Sequence, residues 1–204
     1  MLITDAAFGD DLLARVARAV CGAVPGACVQ LRDRVRSDDA LLPLAMRLRE
    51  ITRAHRAMLI VNRRPALAGA CGADGVHVSA ADVEETRAAL GPHAYISAPA
   101  HDAGELERAR RGGADFALVS PIFASPGKGP GRGTVALRQA RMLSGSHMGI
   151  VALGGIDASN AAECFEAGAL GVAAVRALLC AGDAGETAAR MVSACGVCYE
   201  PASR

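Results

Sequence analysis

Short apolar runs alternate along this chain with longer segments that carry apolar residues at helical spacing. The runs fall at 2–4, 27–34, 58–62, 75–79, 94–98, 116–123, 149–155 and 171–175. Their length and their Val, Ile, Leu and Ala content predict strands. Helical spacing appears at 38–56, 79–91, 102–114, 157–169 and about 184–194. Ser37 or Asp38 caps the first of these, Ser79 caps the second, and Gly91 stops it. Three near-repeats, GADG at 72–75, GADF at 113–116 and GALG at 168–171, each close a helix and open a strand. Glycine there supplies the left-handed helix end. Strands alternating with helices imply a parallel sheet. Eight such units in 204 residues fit a (β/α)8 TIM barrel, a single domain over 1–204. The alternative is an open doubly wound sheet. Its glycine-rich first loop is missing, because TDAAFGDD follows the first strand and no GxGxxG occurs.

A barrel built from this chain needs an aliphatic core, since aromatic residues are 3% of the chain and Trp is absent. The formal net charge of +1 gives no reason to expect a nucleic-acid partner. Seven cysteines, an odd and scattered set, do not form a disulfide framework. No signal peptide is recognisable, so a reducing cytoplasm is the expected setting. No apolar run reaches the roughly 18 residues that a membrane span requires. The pair Cys195 and Cys198 in CGVC lacks a second pair, so it reads as structural or incidental rather than as a zinc site.

Candidate chemistry follows from where barrels place it, at the carboxyl ends of the strands. Strand two offers Gln30, Arg32 and Arg34 on one face. Strand three offers Asn62 and Arg63, strand four His77 and Ser79 with Asp82 beyond, and strand five Ser97 and His101. Strand six leads into SPIFASPGKGPGRG, which carries Ser125, Lys128 and Arg132. Strand seven ends in Gly154 and Gly155, and Arg176 follows strand eight. Arg32, Arg34, Arg63, Lys128, Arg132 and Arg176 thus gather at one end of a nearly neutral protein, with Asp82 as the clear acid. That favours an anionic ligand, phosphate first. In LGGIDASN two glycines admit a phosphate to the backbone, and the helix start beyond them offers free amides. Solvated arginines, a satisfied barrel histidine at His77 and a merely flexible SPGKGPGRG connection are the plainer alternatives. A mobile lid is the functional reading of that loop.

VQLRDR, LIVNRRPALA, GADGVHVSAADV, GADFALVSPIFASPGKGPGRG, IVALGGID and GVAAVRAL occur in this order. Together they resemble the thiamin phosphate synthase family, which includes the related thiazole tautomerase TenI. The likeness runs from about 2 to 179. It implies a (β/α)8 barrel that joins pyrimidine methyl diphosphate to thiazole phosphate through a pyrimidine carbocation, releasing diphosphate with help from Mg²⁺. Gln30, Arg32 and Arg34 match the family's Q-L-R-x-K strand, with Arg for Lys. Asn62 matches an Asn on the pyrimidine and diphosphate side, Lys128 a diphosphate-binding loop lysine, and Gly154 and Gly155 the thiazole-phosphate glycines. The resemblance therefore implies catalytic contacts from Arg32, Asn62 and Lys128. Gln30, Arg34, Arg63, His77, Ser125, Arg132, Gly154, Gly155 and Arg176 would complete the binding of substrate and phosphate. Asp82 matches one of two Mg²⁺ aspartates, and no organic cofactor is implied. Self-association is common in the family and is an expectation here.

The chain also departs from that pattern. Arg63 stands where the synthases carry the second aspartate, and the usual G-Q-x-D reads Ser79-Ala80-Ala81-Asp82. Pro99, Ser125, Gly127 and Arg176 replace a serine, two threonines and a serine. Asp82 alone is expected to hold Mg²⁺ poorly, and Arg63 to weaken metal dependence without abolishing anion binding. Gly131-Arg132-Gly133 matches the tautomerase loop, but Pro121 replaces its catalytic histidine. A synthase-like transferase is the leading expectation. The alternative is a TenI-like tautomerase or a non-catalytic binder of thiazole phosphate.

Overall fold

The computed structural model describes residues 1–23, 26–125 and 129–195. Its strands are β1 (Leu2–Ile3), β2 (Cys28–Leu31), β3 (Met58–Asn62), β4 (Gly75–His77), β5 (Tyr95–Ala100), β6 (Phe116–Val119), β7 (Gly149–Leu153) and β8 (Gly171–Ala173). Each pairs in parallel with its sequence neighbours. The ring closes where Leu2 pairs with Ala174: the Ile3 amide donates to the Ala174 carbonyl at 3.0 Å, and the Ala174 amide to the Met1 carbonyl at 3.0 Å. The fold is a (β/α)8 barrel, and closure excludes the open sheet.

The helices are α1 (Leu12–Gly22), α2 (Asp38–Ala54), α3 (Pro65–Cys71), α4 (Val83–Leu90), α5 (Ala103–Arg111), α6 (Thr134–Leu143), α7 (Ala161–Glu166), α8 (Arg176–Leu179) and α9 (Ala184–Ser193). Side chains alternate along each strand. Val29, Leu31, Leu59, Val61, Val76 and Ile96 therefore face the helices and join the large outer core. Ile3, Leu118, Val151 and Ala173 form a second, small cluster of buried residues. Those four come one each from β1, β6, β7 and β8, at the alternate positions of their strands.

The repeated Gly-Ala-Asp has a structural use. Asp74 and Asp115 sit just before β4 and β6, and each carboxylate accepts the amide of the preceding strand's Leu59 or Ile96 at 2.7 Å. Arg49 grips Asp74 with two nitrogens, and Arg87 reaches Asp115 at 2.7 Å. Both carboxylates lie at the amino ends of the strands, the end that stabilises barrels rather than working in them. Asp115→Ala leaves the Ile96 amide and Arg87 without their partner. It is expected to cost about 1–3 kcal/mol of stability, read by chemical denaturation, while ligand binding at the opposite end is unchanged.

Several boundaries differ from the sequence expectation: the strand expected over 116–123 ends at Val119, the helix expected from Ser79 begins at Val83, and two further shifts have a clear cause. The run at 27–34 stops being a strand at Leu31, because the buried Asp33 folds the chain into a turn. Its carboxylate accepts the amides of Val35 at 2.8 Å and Arg36 at 2.9 Å. The helix expected over 157–169 begins only at Ala161. Asp157 accepts the Ser159 amide at 2.8 Å and hydroxyl at 2.6 Å, so a turn precedes the helix.

Candidate functional site

The strand register sets the floor of the site. Asn62 on β3 lies beside His77 on β4, which lies beside Ser97 on β5. Above them a cleft of about 720 Å³ opens at the carboxyl ends of the strands. Gln30, Arg32, Arg34, Asn62, Arg63 and His77 line one side of it. Ser125, Gly154, Gly155 and Arg176 line the other. Asp5, His101, Ser120 and Asp157 also contribute to its walls.

Two sequence candidates stand elsewhere. Arg132 faces an outer cleft between α5 and α6, shared with Leu106, Gln139 and Met142, and its guanidinium lies 3.5 Å from the Ala100 carbonyl. Its backbone explains this, since the Arg132 amide donates to Pro121 at 2.9 Å and ties the return leg of the loop down beside β6. Asp82 is exposed at the start of α4, outside the cleft lining, and accepts the Ser79 hydroxyl at 2.6 Å. Lys128 lies outside the described residues, as does Cys198.

The arginines are placed by backbone turns. Thr4, buried at the end of β1, accepts the Arg32 amide at 2.9 Å and donates to the Arg32 carbonyl at 3.3 Å. Asp33 anchors the next turn. Burial alone would raise its carboxyl, but the Arg36 and Val35 amides and the Arg36 guanidinium outweigh that and bring it down to about 2. Arg64 then clamps this turn from the far side, donating to the Arg36 carbonyl at 2.7 Å, to the Asp33 carbonyl at 3.2 Å, and to the Asp38 carboxylate. Thus the two adjacent arginines divide their work: Arg64 braces the loop that carries Arg34, and Arg63 faces the cleft.

Arg63 adopts φ 59°, a left-handed conformation. Its amide donates to the His77 carbonyl at 2.7 Å, which fixes the turn. The Gly154-Gly155 turn shares this handedness, with φ 104° and 64°. A Cβ on Gly155 would lie 2.6 Å from the Ala124 carbonyl oxygen, so only glycine lets the β7 end pass beneath the loop after β6. The Phe123 amide donates to the Gly154 carbonyl at 2.9 Å and holds the two segments together.

The electrostatics are those of an anion site. Burial, then Arg34 and Arg63, lower Arg32, so three guanidinium groups repel one another here when no anion is present. Burial, then Arg63, Arg32 and His101, push His77 down to about 4. Its Nδ1 lies 3.0 Å from the Ser97 hydroxyl. Between pH 4 and the ordinary value of 6.5 the unfolded chain holds this proton and the native protein does not. Stability therefore rises with pH across that window and is lost as pH falls through it. His77→Asn is expected to flatten the stability curve there by on the order of 3 kcal/mol, measured by urea unfolding between pH 4 and 7.

Magnesium, which the family chemistry implies, needs several oxygen donors. Among the described residues no group of three or more His, Cys, Asp or Glu is arranged to hold a metal ion. Asp82 is outside the cleft lining, and Arg63 occupies the neighbouring position at the end of β3. This donor set does not fit a divalent-cation clamp.

Sequence reading missed Asp5, Ser120 and Asp157 in the walls, and Thr4, Asp33 and Arg64 as supports. Thr4 stands at the end of a recognised strand, and Asp157 lies within LGGIDASN, so both had a signal. Ser120 lies two residues beyond the inward Leu118 within a recognised run, so it had a signal too, whereas Asp5 follows the end of β1 with none.

The model of the thiamine monophosphate synthase family matches residues 1–178. A thiamine-phosphate synthase of Gloeobacter violaceus is 40% identical over 182 residues, covering 88% of this chain and 52% of that protein. The thiamine-phosphate synthase of Methanoculleus marisnigri is 41% identical over 160 residues, covering 76% of this chain and 75% of that one. The chain spans about half the length of the Gloeobacter relative. In structure, thiamine phosphate pyrophosphorylase from Pyrococcus furiosus superposes with a TM-score of 0.84 at 25% identity, covering 96% of this chain and 94% of that one. A family match over residues 1–178, together with the Methanoculleus relative, places this chain in the thiamine monophosphate synthase family.

Proposed function

We infer that this protein is a thiamin phosphate synthase-like transferase. It joins pyrimidine methyl diphosphate to thiazole phosphate and releases diphosphate, working in the cytoplasm. The observation that carries this reading is the convergence of four arginines and the Gly154-Gly155 turn on one cleft. In this reading Arg32, Arg34 and Arg63 hold the diphosphate, with Lys128 of the following loop. Gln30 and Asn62 orient the pyrimidine from the floor. Gly154, Gly155 and Arg176 hold the thiazole phosphate, with Ser125 beside them.

The chemistry asked of the protein is positioning and charge stabilisation. The bond from the pyrimidine methylene carbon to the diphosphate oxygen breaks, and the electron pair leaves on the diphosphate. The thiazole nitrogen lone pair then forms the new carbon–nitrogen bond. Guanidinium groups around the leaving group stabilise its growing charge, and the neutral His77 adds no positive charge beside the carbocation.

The test is to incubate the purified protein with both substrates, with and without Mg²⁺, and to measure thiamin phosphate. Product accumulating with an equal amount of diphosphate is the expected result. No product above the enzyme-free background in either condition would rule out the transferase.

A further inference from the structure

We propose that this cleft binds diphosphate without a divalent cation, with Arg63 supplying charge that the metal would otherwise bring. The proposal rests on the phosphate reading of the cleft given above, and it concerns how the anion is held.

Three features converge on it. First, among the described residues the cleft lining carries two carboxylates, and both are already engaged. Asp5 accepts the Ala7 amide at 3.0 Å and faces Arg32, while Asp157 accepts both the Ser159 amide and hydroxyl. Second, four guanidinium groups share the cleft lining with those two carboxylates. The excess is positive before any metal arrives, and a cation entering beside Arg63 would meet repulsion rather than donors. Third, Arg63 holds its left-handed backbone against local preference. Glycine, Asn and Asp take that conformation with less strain than Arg. The chain keeps a long cation at a position where the backbone favours a short polar residue, and anchors it through the 2.7 Å bond to the His77 carbonyl. A guanidinium can bind a phosphate group with two parallel hydrogen bonds, which a bound metal does by coordination instead.

Calorimetric titration with inorganic diphosphate separates the outcomes. The wild-type protein is expected to bind it with affinities in EDTA and in Mg²⁺ that agree within about threefold. Arg63→Gly suits the backbone and removes only the side chain, so it is expected to fold and to bind about tenfold more weakly in both conditions. Wild-type binding that appears only with Mg²⁺, or Arg63→Gly binding at full strength in EDTA, would overturn the proposal. Absence of binding in both conditions would instead overturn the phosphate reading of the cleft, and this proposal with it.

Discussion

Gly155→Ala is expected to lower stability by about 2–4 kcal/mol and to abolish phosphate binding at the β7 end of the cleft. Two costs add. Alanine at φ 64° carries the left-handed penalty, and its Cβ would lie 2.6 Å from the Ala124 carbonyl oxygen and 2.9 Å from the Phe123 Cβ. Those neighbours are tied down, since the Phe123 amide is bonded to the Gly154 carbonyl and the Ile122 amide to the Leu153 carbonyl at 3.0 Å. The loop after β6 cannot give way without breaking those bonds, and Ser125 would move with it. Thermal unfolding should show a midpoint lower by about 5–15 °C. A midpoint within a degree or two of wild type would mean that the two segments are less closely packed than described.

Arg32→Met is expected to behave in the opposite way, losing function while keeping the fold. The Thr4 bonds to residue 32 use its backbone amide and carbonyl, so they survive the change. The methionine fills much of the same volume and removes a charge that burial, Arg34 and Arg63 all disfavour. Stability should hold or rise slightly. Diphosphate affinity should fall on the order of 100-fold, the loss of a charge-assisted pair of hydrogen bonds. Calorimetry and urea unfolding on the same sample read both effects. Equal losses of stability and affinity would mean that Arg32 serves the fold rather than the ligand.

The fold was largely legible because the barrel repeats one physical unit. The hydrophobic period switches between strand and helix, and glycine marks the repeated helix-to-strand junctions at 72–75, 113–116 and 168–171. What escaped was instructive. The segment that forms α1 has buried Leu12, Val16, Ala19 and Val20 at helical spacing, so its signal was present and simply not read. The seven-residue α3 opens at Pro65 and is too short to show a period. At the site, strand alternation aimed Gln30, Asn62 and His77 into the barrel, so these positions followed from sequence. Side chains delivered by turns did not. Arg132 goes to the outer cleft because its own amide is pinned to Pro121, a tertiary contact with no local signature. The division between Arg63 and Arg64 depends likewise on a long-range partner, the turn at Asp33 and Arg36.

In the proposed function the strand-end cleft holds the phosphate of a thiazole ligand between the Gly154-Gly155 turn and Arg176. Titrating isotopically labelled protein with thiazole phosphate and following the backbone amide resonances tests it most directly. Saturable shifts are expected at Gly154, Gly155 and Arg176, with smaller ones at Asn62 and His77. Shifts confined to the outer cleft around Arg132 and Gln139, or no shifts at saturating ligand, would contradict it.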